Sequence, residues 1–155
     1  MRSILFVCTA NICRSPTAAG VLCRELRERR AEHRFEIASA GTHDYHVGKP
    51  AFPNAVEVAK ARGIDLGQHA ARRLIPGDFE HYDLILAMDR ANLAALRAMA
   101  PTPSKHKIEL LLEYGDEYHG LEVPDPYGGE VKDFELALDM IEDGCRGLVK
   151  LLIRD

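Results

Sequence analysis

Apolar positions along the chain follow two patterns. Ser3–Val7 and Asp83–Met88 are short, nearly unbroken apolar runs. Runs of this length predict strands covered on both faces, as in a parallel sheet. Phe35–Ala38 predicts a further short strand, and Lys107–Leu112 a fourth, weaker one. Between the strands, apolar residues recur at threes and fours, the period of a helix with one buried face. Ala18, Ala19, Leu22, Cys23 and Leu26 make such a stripe on a helix expected from Pro16 to about Ala31. Ala55, Val56 and Ala59 do so on a second helix, which Gly63 ends. Leu93, Leu96 and Ala100 follow an Asp89 cap and stop at Pro101 and Pro103. The last helix carries Phe134, Ala137, Ile141, Cys145, Leu148 and Leu152. Ser39–Lys49, Asp65–Arg73 and Glu113–Gly129 are polar and rich in turn residues, and are expected to be loops.

Strands alternating with helices predict a parallel α/β sheet joined by right-handed crossovers. In such sheets ligands gather at the C-terminal strand ends, near the point where strand order reverses. The stretch at the end of the first strand, Cys8-Thr9-Ala10-Asn11-Ile12-Cys13-Arg14-Ser15-Pro16, fits that place. Pro16 suits a first helical turn and Ser15 an N-cap, so residues 8–14 form a tight strand-to-helix loop. A helix start offers unpaired N–H groups and partial positive charge, a natural seat for an anion. A helix N-terminus and nearby cationic charge also favour the nucleophilic thiolate form of a cysteine. Arg14 can donate a bidentate pair of N–H bonds to an oxyanion. Ser15 is placed to hydrogen-bond the sulfur. The chain has no G-x4-G-K-[ST] run, so the usual nucleoside-triphosphate loop is excluded.

Composition narrows the class. The 155 residues are 46% hydrophobic and carry a formal net charge of −4, which gives no reason to expect nucleic-acid binding. The arginines at 24, 27, 29 and 30 alternate with glutamates, as on a solvated helix face. No apolar run approaches the ~20 residues of a membrane span. None looks like a secretory signal either. A single cytoplasmic domain over residues 1–155 is expected, without membrane attachment; oligomeric state is open. The four cysteines (8, 13, 23 and 145) contain no C-x2-C pair, so neither a zinc site nor any other metal or cofactor is expected. Cys23 and Cys145 lie on helix stripes and are expected in the core.

The motif C-x5-R-S-P directly after an N-terminal apolar strand resembles the low-molecular-weight protein tyrosine phosphatases. Other stretches agree in order: Ser39-Ala40-Gly41-Thr42 with Val47-Gly48, Gly63-Ile64-Asp65 with His69-Ala70-Ala71-Arg72, Asp83–Asp89 with Asn92, and Asp125-Pro126-Tyr127. The resemblance implies one three-layer domain, a four-stranded parallel sheet with helices on both faces and a phosphate-binding loop, residues 9–15, after strand one. It implies hydrolysis of phosphotyrosine in protein substrates through a phosphocysteine on Cys8. Arg14 would hold the phosphoryl oxygens and Asp125 act as acid, then base. Asn11, Ser15, Ser39, His69 and Asp89 would support the loop, with Gln68 a rival for the place of His69. Thr9, Tyr45 and Tyr127 would line an aryl-binding cleft.

The same resemblance pairs Cys13 with Cys8 in a reversible protective disulfide. Three positions depart from the family pattern. Ala10 replaces a usual glycine, and positive φ there would cost ~1 kcal/mol. Ala19 replaces a common glutamate, and Gly128 a second tyrosine. Three other readings share the loop: arsenate reduction, which needs two relay cysteines this chain does not place; protein-arginine phosphatase activity, which goes with threonine in place of Ile12; and a silent phosphotyrosine-binding module.

Overall fold

The computed structural model describes residues 1–154. Four parallel strands, β1 (Ser3–Cys8), β2 (Glu36–Gly41), β3 (Leu84–Ala87) and β4 (Ile108–Leu110), lie in the order β2-β1-β3-β4. Strand order reverses at β1, so its C-terminal end opens on the crevice where such sheets take ligands.

Every residue of β1 is buried, and the pleat sends alternate side chains to two separate cores. Ile4, Phe6 and Cys8 join the core under α1 (Arg14–Glu28), α2 (Pro53–Ala61) and α5 (Val131–Leu152). Leu5 and Val7 join the other, with Phe79 of α3 (Asp78–His81) and Leu96 of α4 (Arg90–Met99). The result is the expected three-layer α/β domain. Among the described residues, no helix is long and apolar enough to cross a membrane.

Several local expectations change. The first helix begins at Arg14, so Ser15 lies within its first turn and does not cap it; no side chain caps that end. The buried stripe runs through Ala18, Val21, Leu22, Glu25 and Leu26, which turns Cys23 to a half-buried edge. Val21 takes the core place expected of Cys23, because the stripe follows i, i+3, i+4 from Ala18. On α2 the buried positions are Ala55, Val58 and Ala59, with Val56 only partly covered. The fourth strand is three residues long and gives way to a 3₁₀ turn at Leu111–Tyr114.

Candidate active site

The residue after Cys8 begins a loop whose carbonyl groups are nearly all engaged outside it. The Cys8 carbonyl accepts from Thr42 N (2.9 Å), that of Thr9 from His43 N (3.0 Å), and that of Ile12 from Phe52 N (2.9 Å). The Asn11 carbonyl accepts from His69 Nε2 (2.6 Å), and that of Cys13 from Thr17 Oγ1 (2.7 Å). In a planar trans peptide the next N–H points opposite to the C=O. Drawing five carbonyls outward therefore turns the N–H groups of Thr9, Ala10, Ile12, Cys13 and Arg14 to the inside. Such a ring of amides at a helix start binds oxyanions.

Asn11 is the keystone of this curl. It is fully buried with φ of 59°, in the left-handed region that Asn tolerates better than most residues. Its Nδ2 donates to Ser15 Oγ (2.8 Å) and Ser39 Oγ (2.9 Å), and its Oδ1 accepts from Arg72 N (2.9 Å). The loop's positive φ falls here and not on Ala10, so the alanine carries none of the strain expected of it. His69, half-buried, holds the Asn11 carbonyl, whereas Gln68 is exposed. Burial lowers the His69 pKa, which keeps the imidazole neutral with its Nε2–H as donor.

Cys8 Sγ lies 3.0 Å from Ser15 Oγ. That hydroxyl accepts from Asn11, and its single hydrogen has two acceptors in reach, the sulfur at 3.0 Å and the Ala40 carbonyl at 3.5 Å, of which the sulfur is the nearer. Arg14 is 2% exposed; its Nη1 donates to Asp89 Oδ2 (2.6 Å) and to the Val123 carbonyl (3.0 Å). Asp89 uses its other oxygen to cap α4 through Asn92 N (2.7 Å), and Asn92 Nδ2 donates to Thr9 Oγ1 (3.2 Å). The β3–α4 turn thus holds the loop near both ends.

Val123 N bonds to the Met88 carbonyl (2.9 Å), laying the long segment before α5 across the end of β3. That path carries Asp125 to the loop, with Oδ2 3.9 Å from Arg14 Nη2 and Oδ1 accepting from Tyr127 N (3.1 Å). An open cleft of ≈ 180 Å³ results, with Cys8, Arg14 and the loop at its floor and Tyr45, His46, Asp125 and Tyr127 on its walls. Cys13 sits at the floor with 5% exposure; burial first, then the neighbouring Cys8 and Asp125, push its thiol up to about 12. Cys8 and Cys13 are both free thiols. Among the described residues, no group of three or more His, Cys, Asp or Glu is arranged to hold a metal ion.

The cleft brings together Cys8, Thr9, Arg14, Tyr45, Asp125 and Tyr127, and the layer behind it brings Asn11, Ser15, Ser39, His69 and Asp89. Sequence reasoning gave no site role to Gly41 and Asn92, which it quoted only within matching stretches, and missed His43, His46, Phe52 and the Val123 carbonyl. Gly41 left a signal, since a glycine closing a strand opposite a tight loop suggests close backbone approach. Asn92 acts through its side-chain amide on Thr9, and the others through backbone groups or ring contacts that no spacing announces.

Residues 3–155 match the family model described as low molecular weight phosphotyrosine protein phosphatase. A low molecular weight protein-tyrosine-phosphatase of Streptomyces coelicolor is 40% identical over 149 residues, covering 94% of this chain and 90% of its own. A low molecular weight phosphotyrosine protein phosphatase of Gallus gallus is 36% identical over 152 residues, covering 97% and 95%. The crystal structure of a protein tyrosine phosphatase from Entamoeba histolytica, with Hepes in the active site, superposes with a TM-score of 0.94 at 35% identity, covering 98% of this chain and 97% of its own.

Proposed function

Since the chain belongs to the low molecular weight phosphotyrosine protein phosphatase family, we propose that Cys8, Arg14 and Asp125 carry its hydrolysis of phosphotyrosine. The substrate's phosphoryl group enters the ring of loop amides. Arg14 and those amides hold its three equatorial oxygens, where charge spreads in the transition state. The Cys8 thiolate attacks phosphorus in line. As the P–O bond to tyrosine breaks, the phenolic oxygen takes the Asp125 proton. Asp125, now a carboxylate, removes a proton from a water that attacks the phosphocysteine. Sulfur leaves as thiolate, met by the Ser15 hydroxyl, and inorganic phosphate departs. Asp125 ends protonated, so the cycle closes with one water consumed and no other reactant.

The observation that carries this reading is the outward draw of five loop carbonyls. It supplies an anion seat immediately beside a cysteine and an arginine. The aromatic walls fit an aryl phosphate better than an alkyl one. The substrates are phosphotyrosine-containing proteins, met in the cytoplasm. A panel of phosphotyrosine, phosphoserine, phosphoarginine and arsenate tests the reading, with wild type beside Cys8→Ser. Turnover of phosphotyrosine by wild type alone is expected. Preference for phosphoarginine or arsenate, or full activity in Cys8→Ser, overturns it.

A further inference from the structure

The two aromatic walls of the cleft are exposed, yet each is backed by a second ring, and each backing residue hangs from the phosphate loop. Tyr45 is 64% exposed and Tyr127 53%, so burial alone does not fix either ring. The His43 ring stacks on Tyr45 with centroids 4.9 Å apart and planes 17° apart. His43 N donates to the Thr9 carbonyl (3.0 Å), and a contact of 2.9 Å between Thr42 Oγ1 and His43 Nδ1 sets the imidazole's rotation. On the opposite wall the Phe52 ring meets Tyr127 at 5.2 Å and 59°, and stacks on the buried Phe134 at 5.7 Å and 5°. Phe52 N donates to the Ile12 carbonyl (2.9 Å). Two parallel chains of contact therefore run from loop carbonyl to backing residue to wall ring.

Resting on the phosphatase reading, we propose that His43 and Phe52 are positioning residues that preset the width of the cleft for a flat aryl phosphate. Neither touches the phosphoryl group. Each acts by fixing a tyrosine ring before the substrate arrives, which spares the cost of ordering that ring on binding. Aromatic pairs of this geometry contribute beyond their buried area, which for each wall corresponds to about a three- to tenfold change in affinity. The anion seat uses only the backbone N–H groups of these two residues, which a side-chain substitution leaves in place, so phosphate itself is indifferent to the walls.

The test measures KM and kcat for p-nitrophenyl phosphate and the inhibition constant of inorganic phosphate. His43→Ala and Phe52→Ala are each expected to raise KM about three- to tenfold while leaving phosphate inhibition unchanged. His43→Phe and Phe52→Tyr restore KM; His43→Leu and Phe52→Leu do not, since bulk without a ring is insufficient. Three results overturn the proposal: KM unchanged in both alanine variants, leucine restoring as well as an aromatic ring, or phosphate inhibition weakening in step with KM. The last would make the two residues supports of the loop itself. Failure of wild type to hydrolyse p-nitrophenyl phosphate is a separate result, which removes the phosphatase reading and this inference with it.

Discussion

Gly41→Ala is a one-carbon change expected to impair the site without touching a reacting group. A Cβ at Gly41 would lie 2.8 Å from the Thr9 carbonyl oxygen, 3.1 Å from that of His43 and 3.2 Å from the Ala10 carbonyl carbon. All three are backbone atoms, so no side-chain rotation relieves the overlap. Ordinary contact begins near ~3.5 Å, so the phosphate loop or the 41–43 segment must shift by several tenths of an ångström. Overpacking of this kind costs about 1–3 kcal/mol. In a chain of this size that lowers Tm by roughly 3–10 °C. Catalysis suffers as well. The displaced groups are those that orient the loop amides; misplacing such donors by about 1 Å costs ~10²-fold in rate, so a shift of several tenths is expected to cost roughly tenfold. The assay is kcat/KM for p-nitrophenyl phosphate with phosphate inhibition and thermal unfolding, beside Gly77→Ala as control. Gly77 has φ of −61°, and a Cβ there would meet nothing within 4 Å, so its alanine variant should be active and at least as stable. A Gly41→Ala protein with the kcat/KM of wild type and unchanged phosphate inhibition would refute the reasoning.

Other outcomes follow from the same geometry. Asp125→Ala should lower kcat for phosphotyrosine ~10²–10⁴-fold with little change in KM; an unchanged kcat removes Asp125 from the acid role. Iodoacetamide at neutral pH should modify Cys8 and be blocked by phosphate. Cys13 and Cys145 stay unmodified, since burial pushes both thiols up, that of Cys13 to about 12; modification of Cys13 ahead of Cys8 counts against the assignment. The folded-state pKa of His69 is lowered, so the unfolded chain binds that proton more readily. Its contribution is fully present above about pH 6.5 and is lost as pH falls towards the lower folded value. The Tm of wild type should therefore fall more steeply on acidification than that of His69→Gln, and equal slopes would contradict this.

The two central strands, β1 and β3, were legible because they are nearly unbroken apolar runs; β2, half-covered over most of its length, and the three-residue β4 left a weaker pattern. Helix faces were less so. On α1, Val21 and Cys23 lie on opposite flanks of the line through Ala18, Leu22 and Leu26, and both are apolar, so the pattern could not choose which flank is buried. The anion seat could be inferred from Cys8, Arg14 and the helix start, but its curl could not. That curl depends on Thr42, His43, Phe52 and His69 bonding to loop carbonyls that lie far from them in the chain. Ala10 shows the opposite case: the strain that positive φ would bring there does not arise, because the left-handed position belongs to Asn11. The Asp125 role rested on family resemblance, and the physical reason for its reach, a segment pinned through Val123 across the end of β3, is a tertiary feature.

The central claim is that the phosphoryl group passes through Cys8. Rapid quenching of the enzyme during turnover of a phosphotyrosyl peptide, followed by mass spectrometry with fragmentation, tests it directly. One phosphoryl group on Cys8 is predicted, absent from Cys8→Ser and accumulating when Asp125 is replaced and a good leaving group keeps the first step fast. Turnover with no phosphoryl group on Cys8, or with it on another residue, would contradict the account.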